Sequence, residues 1–116
     1  MIKRNFDLES QIRDSQQYKL EIQYEHFSDE IKTKLSIKIS FIKFDKEIIE
    51  LTLIEPLKFD CFDDFGTNHV ENLKVFESDD NIIFCFDPYD EQIDEIQEDD
   101  NFILKAKSYK INIKNI

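Results

Sequence analysis

Cys61, Asp63, Asp64 and His69 fall within nine residues, and thiol, carboxylate and imidazole are the groups that hold transition metals. Structural zinc sites pair Cys or His at short spacing, and no second pair stands elsewhere in this chain. A core thiol followed by a polar turn is the plainer reading. A second oxygen-rich run, Asp87, Asp90, Glu91, Asp94 and Glu95, has the ligand type that calcium takes. A calcium loop of the helix–loop–helix kind needs alternating oxygens around a central Gly, and here Pro88 intrudes and the Gly is missing. Of the two histidines, His26 falls in phase with the apolar side of a strand, near its end, and His69 has no base or nucleophile patterned around it. No Ser or Cys sits in a nucleophile elbow, and no Gly-rich run would cradle a phosphate. Carboxylates are so common that none is singled out as one half of an acid–base pair. The expectation is a chain with no catalytic residues, no metal site and no cofactor.

The carboxylates carry more information through their distribution. The net charge is −11, which opposes a nucleic-acid ligand because phosphates would be repelled. From Asp60 to Asp100 there are 15 acidic residues and one basic residue, Lys74; the rest of the chain has 11 acidic and 14 basic residues. One contiguous third therefore holds the acidity. Such a segment is either a solvated face that opposes self-association or a docking surface for a basic protein. In the second case complementary charge speeds encounter, and a few central anchors supply most of the binding energy. Phe62, Phe65, Tyr89, Ile93 and Ile96 are anchor candidates within it, although Phe62 and Ile96 suit a core equally well.

These residues need a scaffold, and the composition indicates which. A length of 116 residues suits one domain, residues 1–116, with enough core to fold without staples. Hydrophobic residues make up 41% of the chain, too many for disorder, and Phe occurs 11 times. Aromatic and β-branched residues favour a pleated, half-buried surface. With one Gly and two Pro, tight turns fall to Asn, Asp and Ser. No apolar run follows the basic N-terminus, and none approaches the roughly 18 residues of a membrane span. Cys61 and Cys85 are read as reduced, buried thiols of a cytoplasmic protein, with a Cys61–Cys85 disulfide as the lesser alternative.

Period-two alternation supplies the elements. Tyr18, Leu20, Ile22 and Tyr24 alternate with charged or polar neighbours, and Phe27 to Glu30 makes a turn. Ile31 to Phe41 follows, with Lys32, Lys34 and Lys38 on its wet side. Asp45-Lys46 turns into Ile49–Leu53, which Pro56 interrupts. Lys58–Phe65 and Val70–Phe76 are further strands, and Ser78-Asp79-Asp80-Asn81 is a turn. Ile82–Phe86 is apolar on both faces and belongs at the centre of a sheet. Residues 87–101 are a polar excursion in which Ile93 and Ile96 have helical spacing. Phe102–Ile113 closes the chain, and its apolar phase switches near Lys107-Ser108, as a bulge or bend would make it do. Phe6, Leu8 and Ile12 suit either a short helix or an irregular arm. The fold class is mainly β: an antiparallel sandwich or partly open barrel of about seven strands with little helix.

Two stretches carry a family likeness. Ile12-Arg13-Asp14-Ser15 leads into Tyr18-Lys19-Leu20-Glu21-Ile22; Asp80 to Glu91 is followed by Asp100 to Ser108. Together they resemble the opening and closing parts of small bacterial immunity-type proteins, over about a third of the chain. The Trp common near the start of such proteins is absent, and no family residue is carried over as functional. The resemblance implies a cytoplasmic antitoxin that binds and blocks one toxin domain. The expected function is thus a non-enzymatic inhibitor that meets a basic partner through Asp63, Asp64, Phe65, Tyr89, Asp90, Glu91, Asp94 and Glu95. The alternatives are an accessory subunit of a bacterial or phage assembly, and a barrel enclosing a small apolar ligand. Neither nucleic acid nor membrane is an expected partner.

Overall fold

The computed structural model describes residues 2–27, 32–60 and 69–116, and among these it contains eight strands and one helix. In chain order they are β1 (Lys3–Arg4), α1 (Phe6–Ile12), β2 (Ser15–Phe27), β3 (Lys32–Lys43), β4 (Glu47–Asp60), β5 (His69–Val70), β6 (Lys74–Glu77), β7 (Ile82–Asp87) and β8 (Asn101–Asn115). They form one sheet in the order β1-β6-β7-β8-β4-β3-β2-β5. Every pairing between them is antiparallel. The mainly β, antiparallel expectation holds.

This order forces the sheet to curl. β5 and β6 lie six strand positions apart, about 29 Å in a flat sheet at about 4.8 Å per strand. Only four residue steps join Val70 to Lys74, and these span at most about 14 Å. The two edges must therefore approach each other without pairing, which gives a partly open barrel. Helix α1 occupies the gap. The Asn5 backbone N–H donates to Val75 O at 2.8 Å on the β6 side, and Asp14 N–H donates to Val70 O at 2.7 Å on the β5 side. The Asn5 side chain caps α1 by accepting from Leu8 N–H at 3.0 Å. At the other end Lys43 Nζ donates to the carbonyls of Ser10 and Gln11 at 2.8 and 3.2 Å, satisfying groups that the helix leaves open.

Alternation explains the core. Ile37, Ile39 and Phe41 of β3, Ile49, Leu51 and Leu53 of β4, and Ile82, Phe84 and Phe86 of β7 all point inward. Leu8 and Ile12 of α1, at i and i+4, close the cluster from the gap side. Phe84 lies parallel to Phe86 at 5.7 Å between ring centres and meets Tyr109 edge-on at 5.9 Å. The interior is thus filled by aromatic rings and branched side chains.

Four details depart from the expected elements. Pro56 does not end a strand. β4 runs on to Asp60 because β8 pairs along its length, with a bulge between Pro56 and Lys58 and positive φ at Glu55. The phase switch expected near Lys107-Ser108 occurs there too, but the extra residue belongs to β4, the neighbouring strand. The stretch 70–76 divides into β5 and β6, since Val70 pairs with β2 and Lys74 with β7 on opposite sides of the gap. Residues 88–100 contain neither helix nor strand, only turns and bends. At Phe44 and Asp45 both central hairpin residues take positive φ, the geometry that matches strand twist, and Lys46 N–H closes on Lys43 O at 3.0 Å.

Candidate partner-binding surface

The acidic excursion between β7 and β8 lies over the outer side of β6 and β7 and is fastened there by three cations. Strand alternation turns Lys74 away from the core, opposite to Val75. The side chain is nevertheless fully buried, because the excursion covers it. Its Nζ donates to Glu95 O at 2.9 Å, to Gln97 Oε1 at 3.4 Å and to Asp100 Oδ2 at 3.2 Å. Asp100, also buried, accepts from Tyr89 N–H and Gln97 N–H, each at 2.7 Å. A lysine and a carboxylate 26 residues apart thereby fix both ends of the excursion.

Two arginines flanking α1 supply the other fastenings. Buried Glu9 accepts from Arg4 Nε at 2.8 Å, from Arg13 at 3.4 Å and from Val75 N–H at 3.1 Å. Arg4 also donates to Asp94 Oδ1 at 2.7 Å, and Arg13 reaches Glu91 Oε1 at 3.1 Å. Glu91 Oε2 accepts from Leu73 N–H at 2.8 Å. Against desolvation, the largest single influence on it, the hydrogen bonds that Arg4 donates to Glu9 and Asp94 hold its guanidinium more firmly protonated than usual.

The residues expected to meet a partner therefore separate into kinds. Glu91 is committed to Arg13 and Leu73, and Asp94 to Arg4, so each carries a structural role. Asp90 is exposed, and its carboxylate closes a local turn on Gln92 N–H at 3.0 Å. Glu95 is exposed and lends only its backbone carbonyl to Lys74. Tyr89 stands 72% exposed, and Ile93 and Ile96 are also exposed. Asp63, Asp64 and Phe65, with Cys61 and Phe62, lie outside the described residues. Lys74, Asp100, Glu9, Arg4 and Arg13 were not singled out from sequence as site residues. The available signal was Lys74 itself, the one cation among 15 acids.

Apolar surface adjoins the acidic segment. A groove of about 720 Å³ runs between β1 and the excursion, lined by Ile2, Lys3, Arg4, Phe6, Phe76, Ile83, Asp94, Glu95 and Ile96. A second hollow of about 680 Å³ continues past β1 to Asp7, Glu77 and Asp79. Among the described residues no three His, Cys, Asp or Glu side chains converge on a metal-sized site, and His69 is exposed at the start of β5. Cys85 is a free, buried thiol, pushed up to about 12 chiefly by desolvation and next by the charge of Asp100. Among the described residues no helix is long and apolar enough to cross a membrane.

Compared with family models, with curated proteins and with solved structures, the chain has no match in any of the three.

Proposed function

We propose that this chain is a non-enzymatic binding protein that docks a basic protein surface through residues 87–100, in the manner of an immunity-type inhibitor occluding a toxin domain. The observation that carries the reading is the fastening of the excursion by Lys74, Arg4 and Arg13. A long polar connection free of helix and strand would ordinarily be ordered only on binding, at a cost in entropy. Here the ordering is done in advance by the buried Lys74–Asp100 pair and by Arg4 and Arg13 gripping Asp94 and Glu91 nearer the surface. The carboxylates of Glu95, Glu98 and Asp99 are left on the outside of a braced backbone, beside exposed Tyr89 and Ile93. Preorganised negative charge with apolar neighbours suits the cleft of a basic toxin, where the carboxylates would stand in for the phosphates of its substrate.

The test uses a toxin domain encoded beside this chain, produced with and without it in a sensitive host. Wild-type chain should restore growth. The triple reversal Glu95→Lys, Glu98→Lys and Asp99→Lys leaves the braces intact and should slow association by about 10- to 100-fold at low salt. A chain with no such neighbour, or a reversed variant that protects as well as wild type, ends the proposal.

A further inference from the structure

We infer that the groove between β1 and the excursion receives a single large apolar side chain of the partner, carried on a Lys- or Arg-rich segment. The inference rests on the docking proposal and deepens it by naming the chemistry of the contact.

The groove has the anatomy of an anchor site. Its floor is the half-buried Ile83 with buried Phe76 beside it, both pointing outward from β6 and β7 under the edge of the excursion. The outer side of β3 and β4 carries Lys38, Ser40, Glu50 and Thr52 along its middle, with Ile54 at one end and the Ile42–Ile48 pair at the other. The walls are Ile2 at 66% exposure, Phe6 at 61% and Ile96 at 38%. Grouped apolar exposure of this kind, with a polar rim, marks an interaction site more often than scattered single residues do. The volume of about 720 Å³ falls in the range that admits a bound group.

The wall is built by specific contacts. The Arg4 guanidinium lies 4.9 Å from the Phe6 ring centre, over its face, and the same group bonds Asp94. One side chain thus positions the aromatic wall and the acidic wall together.

Charge selects the occupant. The cation Arg4 is neutralised by Glu9 and Asp94. Lys3 remains, against Glu95 on one side and Asp7, Glu77 and Asp79 in the adjoining hollow. A cationic segment crossing these rims is attracted and an anionic one rejected, while its apolar residue loses water on the Phe76–Ile83 floor. Interfaces concentrate energy in such central apolar contacts surrounded by charged rims.

The experiment is an NMR titration of the intact chain with three capped heptapeptides: a central phenylalanine between lysines, a central alanine between lysines, and a central phenylalanine between glutamates. The lysine–phenylalanine peptide should shift the Ile83 and Ile96 methyl signals and bind at least about tenfold tighter than either control. The variant Ile96→Ala, on the exposed wall, should bring it down to the level of the alanine peptide. Equal binding of the two lysine peptides overturns the groove inference and leaves the acidic docking proposal standing. Equal binding of the two phenylalanine peptides overturns the charge argument, and with it the docking proposal; no binding by any peptide overturns both. A second copy could also present a cation-flanked ring, since Phe44 is 67% exposed between Lys43 and Lys46. Ile83 and Ile96 shifts that grow with protein concentration alone, and vanish in Phe44→Ala, would make that copy the occupant and overturn the inference.

Discussion

Replacing Lys74 by Met should release the acidic excursion while leaving the barrel folded. Lys74 and Asp100 are both fully buried, so the pair loses water on folding and recovers the loss only through its contacts. Removing one partner of such a pair costs about 3–5 kcal/mol because the other charge is left buried and uncompensated. Asp100 would still accept from Tyr89 N–H and Gln97 N–H, which places the expected cost at the lower end, about 3 kcal/mol. The cost need not be met by global unfolding. The excursion holds few core residues, so local opening that wets Asp100 is the cheaper response. Native-state hydrogen exchange reads this directly. The amides of Tyr89 and Gln97 should lose about 100-fold in protection, while those of Leu51 and Leu53 in β4 change far less. Asp100→Leu alone should be comparably harmful, and the double variant Lys74→Met/Asp100→Leu should recover much of the loss, because an apolar pair can replace a buried ionic one. Unchanged protection at Gln97 in Lys74→Met, or a double variant as damaged as the sum of the singles, would refute the reasoning.

Other consequences follow from individual environments. Glu50 accepts hydrogen bonds from Lys114, at 2.7 Å, and from Lys38, which lower its carboxyl from an ordinary 4.5 to about 2. Because the folded value is the depressed one, its stabilisation is fully present above about pH 4.5 and is lost as pH falls through about 2. Glu50→Gln should therefore flatten the acid limb of urea midpoints between those limits, and an unchanged limb would contradict the contacts. Cys85, in a Cys61→Ser background, should resist maleimide at pH 8 until the chain opens, since its thiol titrates only near 12. Labelling at the rate of a free thiol would contradict its burial. Phe84→Ala should cost about 3–5 kcal/mol by chemical denaturation, because the ring is wholly enclosed between Phe86 and Tyr109. A loss below about 1 kcal/mol would mean that the core closes around the cavity without strain.

Much of the scaffold was legible in residue order because a strand's two faces see different solvents. The strand expected from Tyr18 lies within β2, although Tyr18 and Ile22 are exposed there, and the alternation from Leu35 to Phe41, the turn at Ser78–Asn81 and the two-faced apolar run Ile82–Phe86 each appear where expected. The turn closes through Ser78 N–H to Asn81 O at 2.9 Å, and β7 pairs on both sides. Even the switch of phase in β8 was visible, since every inward residue there must match a neighbour's inward residue. Pro56 misled because a missing N–H interrupts a ladder only where that N–H is needed, and a bulge removes the need.

The acidic segment shows where local reading stops. Residue order established that one stretch carries most of the negative charge, with Lys74 alone among it, because composition is additive along a chain. Which of those charges face water was decided only by the curled sheet. Burial and pairing depend on distances between residues far apart in sequence: Arg4 with Asp94, Arg13 with Glu91, Lys74 with Asp100. Those distances exist only once β1 and β5 have been drawn to either side of α1, and that curl is a property of the strand order, which no local pattern encodes.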